Sequence, residues 1–175
     1  MTSHTFLGIS IAALLAALSM PARAECPDGC TMNVIKIAGK DLRFGSLVVV
    51  SPGELILNPS TGARSGSAHV VTPAALDSHA GPAEFRVTCS GSGSTRYTVA
   101  LVTTPASVET TSIAMVLSNF STYPPMSLER TVAHCAMYEE IVKVGATLSI
   151  SPAQSRGTYI SATDIELEAT ISSLY

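Results

Sequence analysis

The chain has 175 residues, of which 46% are hydrophobic and 13% are charged, and its formal net charge is −3. This length and apolar content suffice for one domain with a hydrophobic core. The small acidic excess, without clustered Lys and Arg, excludes the basic surface that nucleic acid requires. We therefore expect no nucleic-acid partner.

The amino-terminal residues 1–24 predict a secretory signal peptide. Apolar and small residues run from Phe6 to Leu18, and the small-x-small triplet Ala22-Arg23-Ala24 follows them. Cleavage is expected after Ala24, and an uncleaved anchor is the alternative. The apolar run is shorter than the about 20 residues of a transmembrane helix, and no later stretch is apolar enough to cross a membrane. The sequence thus predicts one mature domain, residues 25–175, that is periplasmic to extracellular or at the cell surface, with no membrane span.

All four cysteines lie in the predicted mature chain, at Cys26, Cys30, Cys89 and Cys135. Export delivers them to a compartment where disulfides persist, and four cysteines allow three pairings. A turn at residues 27–29 makes a local Cys26–Cys30 bond feasible, which would leave Cys89 to pair with Cys135. In the loop-entropy model the long bond contributes about 4 kcal/mol and the short one about 2 kcal/mol. We expect the fold to depend on Cys89–Cys135, and the mature protein to have no free thiol.

Strand signals dominate the mature chain. Short runs rich in Val, Ile, Thr and Tyr are broken by Gly, Pro, Ser and Asn, a spacing typical of a β-sandwich or barrel. Alternate residues from Phe85 to Cys89 share one face, with Glu84 on the other, and alternate residues from Tyr97 to Leu101 match them across a Ser-Gly loop. This pattern predicts a hairpin with one buried face.

The carboxy-terminal residues 165–172 alternate strictly between apolar and polar side chains, beginning with Ile165 and Glu166. Period-two alternation over this length predicts a half-buried antiparallel strand. Further strands are predicted at Val34–Ala38, Ser46–Val50, Glu54–Asn58, Ala68–Thr72, Ile113–Leu117 and Thr147–Ser151.

No arrangement of residues predicts catalysis. The hydrolase motif Gly-x-Ser-x-Gly does not occur, because residues 90–94 read Ser-Gly-Ser-Gly-Ser, which favours a loop. The mature histidines are only His69, His79 and His134, and they form no recognisable triad pattern. The adjacent acids Glu139 and Glu140 diverge on an extended chain, so we interpret them as solvated residues of a loop or strand edge. We expect no enzyme and no catalytic residue.

The sequence also contains candidate ligands for a metal and for a glycan. His134, Cys135 and Met137 supply the ligand types of a blue-copper site, but their order differs from the Cys, His, Met order of such sites. Zinc held by Cys26, Cys30 and His134 is disfavoured because oxidation competes for the thiols. We expect no metal and no other cofactor. Tyr123, before two prolines in a chain without Trp, is the exposed aromatic candidate for a glycan platform.

A series of landmarks spans nearly all of the mature chain. They are Leu42-Arg43-Phe44-Gly45, Gly53 before Leu55, Gly62-Ala63-Arg64-Ser65, Gly81-Pro82-Ala83, Phe85 and Val87, Tyr97 to Leu101, Val144-Gly145-Ala146-Thr147-Leu148 and Gly157-Thr158-Tyr159. In their order and spacing the chain resembles the domain of unknown function 4402 family, small exported bacterial proteins akin to spore-coat-U-like and fimbrial subunits. The resemblance implies an all-β, antiparallel immunoglobulin-like or pilin-like β-sandwich without catalytic residues. The chain departs from the family pattern at Cys26 and Cys30 and at Ile160-Ser161.

Two glycines have a physical interpretation of their own. Gly45 follows Phe44 directly, and Gly145 precedes Ala146. At both positions we expect a strand to bend, bulge or start from a backbone conformation that other residues avoid.

We expect an exported structural subunit of a bacterial surface appendage or coat, assembling through β-strand contacts. Its partners would be other protein subunits, identical or homologous, and a periplasmic chaperone. The alternative is a monomeric envelope or surface module, binding or adhesive, that recognises a glycan or a protein. For assembly, residues 31–38 are the candidate intersubunit strand, with Ile35 and Ile37 filling pockets of a neighbour. The other interpretation is that this segment is the first strand of its own domain.

Overall fold

The computed structural model describes residues 30–71, 80–109, 114–152 and 164–174. The predicted signal peptide, its cleavage site, Cys26 and His79 lie outside these ranges. Within them the chain forms twelve strands and a short 3-10 helix at Cys135–Met137. The strands are β1 Thr31–Lys36, β2 Val48–Ser51, β3 Gly53–Leu57, β4 Arg64–Gly66, β5 His69–Val71, β6 Ala83–Ser90, β7 Thr95–Thr103, β8 Ser107–Glu109, β9 Ala114–Tyr123, β10 Arg130–Val132, β11 Glu139–Ile150 and β12 Glu166–Leu174.

The larger sheet has seven antiparallel strands and is organised by β11. In strand order it runs β1-β6-β11-β3-β4, and β9 also pairs with β11 and carries β8. The first half of β11 pairs with β6 and its last residues pair with β3. The central strand β11 pairs with β6, β3 and β9. The strands β1 and β4 lie at the two ends of the order.

The smaller sheet has three strands in the order β10-β7-β12, and β2 pairs with β5 in a separate two-stranded ribbon. Alternate side chains of β6 and β7 are buried, and they meet in one cluster that includes Val87, Tyr97, Val99 and Val142. Each of these four side chains is at most 2% exposed. The fold is therefore an all-β antiparallel sandwich whose core lies between the two sheets.

The predicted hairpin between residues 83–89 and 96–101 is wrong in its pairing, although both strands and both buried faces are confirmed. β6 pairs with β1 and β11, whereas β7 pairs with β10 and β12 in the opposite sheet. The chain crosses from one layer to the other at residues 91–94, so the two apolar faces pack against each other across the core. Alternation identifies a buried face, and it does not identify the hydrogen-bonded neighbour.

Gly145 lies at a bulge of β11, as predicted. The register with β9 shifts between Gly145 and Thr147, and a Cβ atom at Gly145 would collide with the carbonyl oxygen of Leu57. Gly45 also has the left-handed backbone expected of it, with φ of 74°. The predicted strand at residues 147–151 is only the end of β11, which begins eight residues earlier at Glu139.

The carboxy-terminal strand is confirmed as β12, with Ile165 buried before it and Leu167, Ala169 and Ile171 packed against the core. Strands were also correctly predicted near β1, β2, β3, β5 and β9. The prediction missed β4, β8 and β10, each of three residues. Among the residues that the structure describes, no helix is long and apolar enough to cross a membrane.

Candidate assembly edge and cysteine cluster

Among the strands that the structure describes, β1 is an edge strand that pairs with β6 alone. Its residues align with β6 from Thr31 opposite Ser90 to Lys36 opposite Phe85. Met32 and Val34 are half-buried and pack against the core. Ile35 points away from it and is 54% exposed. In this structure the segment is thus the first strand of its own domain, and its apolar inner face is formed by Met32 and Val34.

Lys36 forms two ion pairs at the end of β1. Its Nζ lies 2.7 Å from Oδ1 of Asp41 and 3.0 Å from Oδ1 of Asp164, which is just before β12. The hydrogen bond with Asp41 raises the pKa of Lys36, and the same bond lowers the pKa of Asp41. Since all three side chains are partly or largely exposed, solvent screens these pairs and each adds little stability.

A groove separates β1 from β12 on one side of the sandwich. No β-ladder joins the two strands in the part of the chain described, because β1 pairs with β6 and β12 pairs with β7. The groove holds an open cavity of about 280 Å³. Its lining residues are Val34, Lys36, Phe85, Val102, Ile165, Glu166 and Leu167. Within the described residues, β1 and β12 therefore each have one edge that no ladder occupies.

Three cysteines meet at the other end of β1. The Sγ atoms of Cys30, Cys89 and Cys135 all lie within 4.8 Å of one another, and the three side chains are at most 7% exposed. Cys30 immediately precedes β1, Cys89 lies near the end of β6, and Cys135 begins the 3-10 helix. The turn-rich loop 91–94 covers them, with the Cys135 amide donating to the Gly93 carbonyl at 3.1 Å and the Cys30 thiol 3.5 Å from the Ser92 carbonyl.

Cys135 is within bonding reach of two partners. Its Cα lies 4.7 Å from that of Cys89 and 6.4 Å from that of Cys30, and both separations suit a disulfide. One sulfur forms only one such bond at a time. The expected Cys89–Cys135 bond is compatible with this geometry and stays a prediction, as does its partner Cys26–Cys30, because Cys26 lies outside the described residues.

A buried polar network lies between the sheets and was not predicted. The Nε of Arg130 is 2.7 Å from Oε2 of Glu140, and the Arg130 side chain is 4% exposed. The hydroxyl of Tyr97 donates to the same carboxylate oxygen at 2.6 Å and lies 2.7 Å from the hydroxyl of Tyr138. The remaining Arg130 nitrogens donate to carbonyls of residues 124, 125 and 128. The interpretation of Glu139 and Glu140 as two solvated residues is thus wrong for Glu140, whereas Glu139 is exposed and pairs with Arg86.

Tyr97 makes this network sensitive to alkaline pH. Burial raises the pKa of Tyr97 well above its ordinary value of 10.0, and the hydrogen bonds with Glu140 and Tyr138 raise it further. Burial also raises the pKa of Tyr138. The folded state therefore keeps its phenolic protons above the pH at which the unfolded chain loses them. The resulting stability is complete below about pH 10 and falls above it, by at most about 1.4 kcal/mol per pH unit for each proton.

We expect Tyr97→Phe to flatten this fall. Denaturant unfolding between about pH 9 and about pH 11 should show a steeper loss of stability in the wild type than in Tyr97→Phe, since the variant has one fewer proton to release. Tyr123→Phe makes the same chemical change at a side chain that is 51% exposed and serves as the control. Equal slopes in the wild type and Tyr97→Phe would contradict the assignment.

The candidate residues for metal and glycan binding differ in burial. Cys135 is buried with the other two sulfurs, whereas His134 is exposed and Met137 is 84% exposed. The chain therefore does not gather the three blue-copper ligand types at one point. His69 is exposed on β5. Tyr123 is half-exposed at the end of β9, followed by a cis bond to Pro124.

A two-layer antiparallel sandwich with one-sided edge strands defines the chain as a small all-β module. Its residues 35–169 match the family model described as Domain of unknown function (DUF4402). The chain belongs to this family, as the resemblance of its landmarks predicted. No curated protein and no solved structure matches it.

Proposed function

We propose that the mature protein is a structural subunit of a bacterial surface appendage or coat, exported from the cell and assembled by exchange of β1 between copies. The β1 strand of one subunit would pair with β6 of the next in the register found within one chain. Met32 and Val34 would then fill the neighbour's core, as they fill their own. Contact along the exchanged strand also brings the exposed Ile35 and the half-buried Ile37 to the boundary between subunits.

The observation that carries this proposal is the open groove beside β1. A strand held on both edges would have to break two ladders to leave, whereas β1 has one ladder, with β6. Toward β12 it is held by side-chain packing and by the Lys36 ion pair with Asp164. Once β1 leaves, the edge of β6 and the apolar side chains beneath it become accessible to an incoming strand.

The proposal is tested by fastening β1 to its own domain. Asn33 and Thr88 are directly opposed on β1 and β6, where Cα atoms lie about 4.5–5.5 Å apart, a separation that suits a disulfide. Their side chains point to the face opposite Cys89. The double variant Asn33→Cys with Thr88→Cys should form the bond, stay monomeric and melt at a higher temperature than the wild type.

The matched control is Asn33→Ser with Thr88→Ser, which alters the same positions without the bond. In negative-stain microscopy the wild type and the serine control should form fibres or ladders, and the cysteine variant should not. Assembly by the cross-linked variant to the level of the control would refute strand exchange. A wild type that stays monomeric and binds a glycan or an envelope protein would instead favour a binding or adhesive module, for which the exposed Tyr123 is the candidate platform.

A further inference from the structure

The trio of buried cysteines has three sulfurs, of which two can form one disulfide at a time. Its members are Cys30, Cys89 and Cys135, and Cys135 is the partner within reach of both others. Each of the two bonds within reach uses Cys135, from Cys30 on one side and from Cys89 on the other. Because all three Sγ atoms lie within 4.8 Å, the sulfur left out of one bond is already next to the other two. The fold therefore presents the components of a thiol–disulfide exchange reaction at one place.

We propose that this trio is an exchange site in which Cys135 bonds alternately to Cys89 and to Cys30. From the Cys89–Cys135 form, the thiolate of Cys30 attacks Sγ of Cys135. The Cys30–Cys135 bond forms, the Cys89–Cys135 bond breaks, and Cys89 leaves as a thiolate that takes up the proton given by the Cys30 thiol. One thiol and one disulfide stand on each side, so the step consumes no oxidant.

Cys26 is the fourth cysteine of the chain. A low-molecular-weight disulfide such as oxidised glutathione supplies the oxidation that first forms the bonds. The sequence predicts that Cys26 pairs with Cys30 while Cys89 pairs with Cys135. A small thiol that opens the predicted Cys26–Cys30 bond takes Cys26 into a mixed disulfide and releases Cys30 as the thiolate that attacks Cys135.

Burial and proximity act on the rate in opposite directions. An apolar, buried thiol forms its reactive thiolate with difficulty, and the three cysteines are buried beneath the loop 91–94. The attacking and leaving sulfurs are held together, however, and such an intramolecular arrangement corresponds to a very high effective concentration. Exchange within the trio is thus favoured over attack by a bulky protein thiol from outside.

The two forms differ in how β1 is held. Cys30 directly precedes β1, so Cys30–Cys135 ties the start of the strand covalently to the body of the domain. Cys89–Cys135 joins β6 to the 3-10 helix and leaves β1 held by its ladder, packing and ion pairs. A role for this difference in the release of β1 rests on the proposed strand exchange. The exchange of disulfide bonds takes place within a single chain and does not depend on that proposal.

The test uses the mature chain with Cys26→Ser, which leaves only the trio. The reduced protein is oxidised with oxidised glutathione, quenched in acid, alkylated and digested without reductant for mass spectrometry. We expect both cross-linked peptides, Cys30 with Cys135 and Cys89 with Cys135, each with the third cysteine alkylated. Either form, isolated in acid and returned to neutral pH, should relax to the same mixture.

Two matched variants define the pure forms: Cys26→Ser with Cys30→Ser can form Cys89–Cys135, and Cys26→Ser with Cys89→Ser can form Cys30–Cys135. Mapping of the wild type in the presence of reduced glutathione gives an independent readout, with both the Cys30–Cys135 and the Cys89–Cys135 cross-links expected. A single bond that is unchanged by reduced glutathione at neutral pH would overturn the proposal. Zinc retained by the reduced Cys26→Ser chain in a one-to-one ratio would overturn it too, in favour of a metal site. None of these measurements requires assembly, so a protein that exchanges bonds but forms no fibres would refute strand exchange alone.

Discussion

Replacing Arg130 by alanine should destabilise the domain by about 3–5 kcal/mol. The guanidinium is the cationic centre of a network that contains the fully buried Tyr97 and the partly buried Glu140, whose side chain is 21% exposed. Its loss would leave the partly buried Glu140 carboxylate without a counter-charge and the carbonyls of residues 124, 125 and 128 without their donor. A buried charge whose partner is removed costs far more than the pair contributes when intact.

Arg86→Ala is the matched control for this prediction. Arg86 pairs with Glu139, the residue next to Glu140, at 3.2 Å, but both side chains are at least half exposed. We expect that change to cost about 0–1 kcal/mol. Denaturant unfolding of the two variants compares the loss of an arginine partner on opposite faces of β11, where Glu139 and Glu140 are neighbours. Similar costs would mean that the Arg130 network is solvated, contrary to the structure.

Replacing Phe85 by alanine should also cost about 3–5 kcal/mol, through lost burial and the cavity left behind. Phe85 is 3% exposed and lies in a cluster with Ala83, Val144 and Ile165. That cluster joins β6 and β11 of the larger sheet to the residue that precedes β12. The aromatic ring therefore holds the two layers together at the end of the sandwich nearest the groove.

Glu84→Ala tests the register of the same strand. Glu84 is on the opposite face and lies 4.0 Å from both Lys40 and Lys143, long separations for ion pairs. We expect this change to cost less than about 1 kcal/mol. A one-residue shift of β6 would exchange the two faces. Equal destabilisation by Phe85→Ala and Glu84→Ala in chemical denaturation would rule out the observed register.

The sequence predicted which face of a strand is buried, but it did not predict which strands pair with each other. Alternation from Phe85 to Cys89 and from Ile165 to Ile171 identified which side chains are buried, because a sheet buries every second residue. It could not show that β6 and β7 lie in different sheets, since a hairpin and a crossing between layers produce the same alternation. The three-residue strands β4, β8 and β10 are too short to produce a period at all.

The sequence contains one signal of the buried polar network, in the alternation of β11. Glu140 has the same parity as Val142 and Val144, which are fully buried, so the alternation of β11 already placed its carboxylate on the inner face. What the alternation does not supply is the partner, because Arg130 lies on a separate short strand. The cysteine trio had a similar limit: four cysteines and a count of pairings do not show that one sulfur lies near two others.

The order of strands in the larger sheet has a consequence for how the chain acquires its fold. Thr31 pairs with Ser90, Leu55 with Leu148 and Leu101 with Leu167, so the ladders join segments that are far apart in the chain. Loop-closure entropy is lost before such pairings contribute, and proteins dominated by them fold slowly. During that delay β6 and β11 expose unpaired edges that favour aggregation. On the proposed function, a nascent chain with this topology would gain from a chaperone that covers these edges until β1 and β12 have paired.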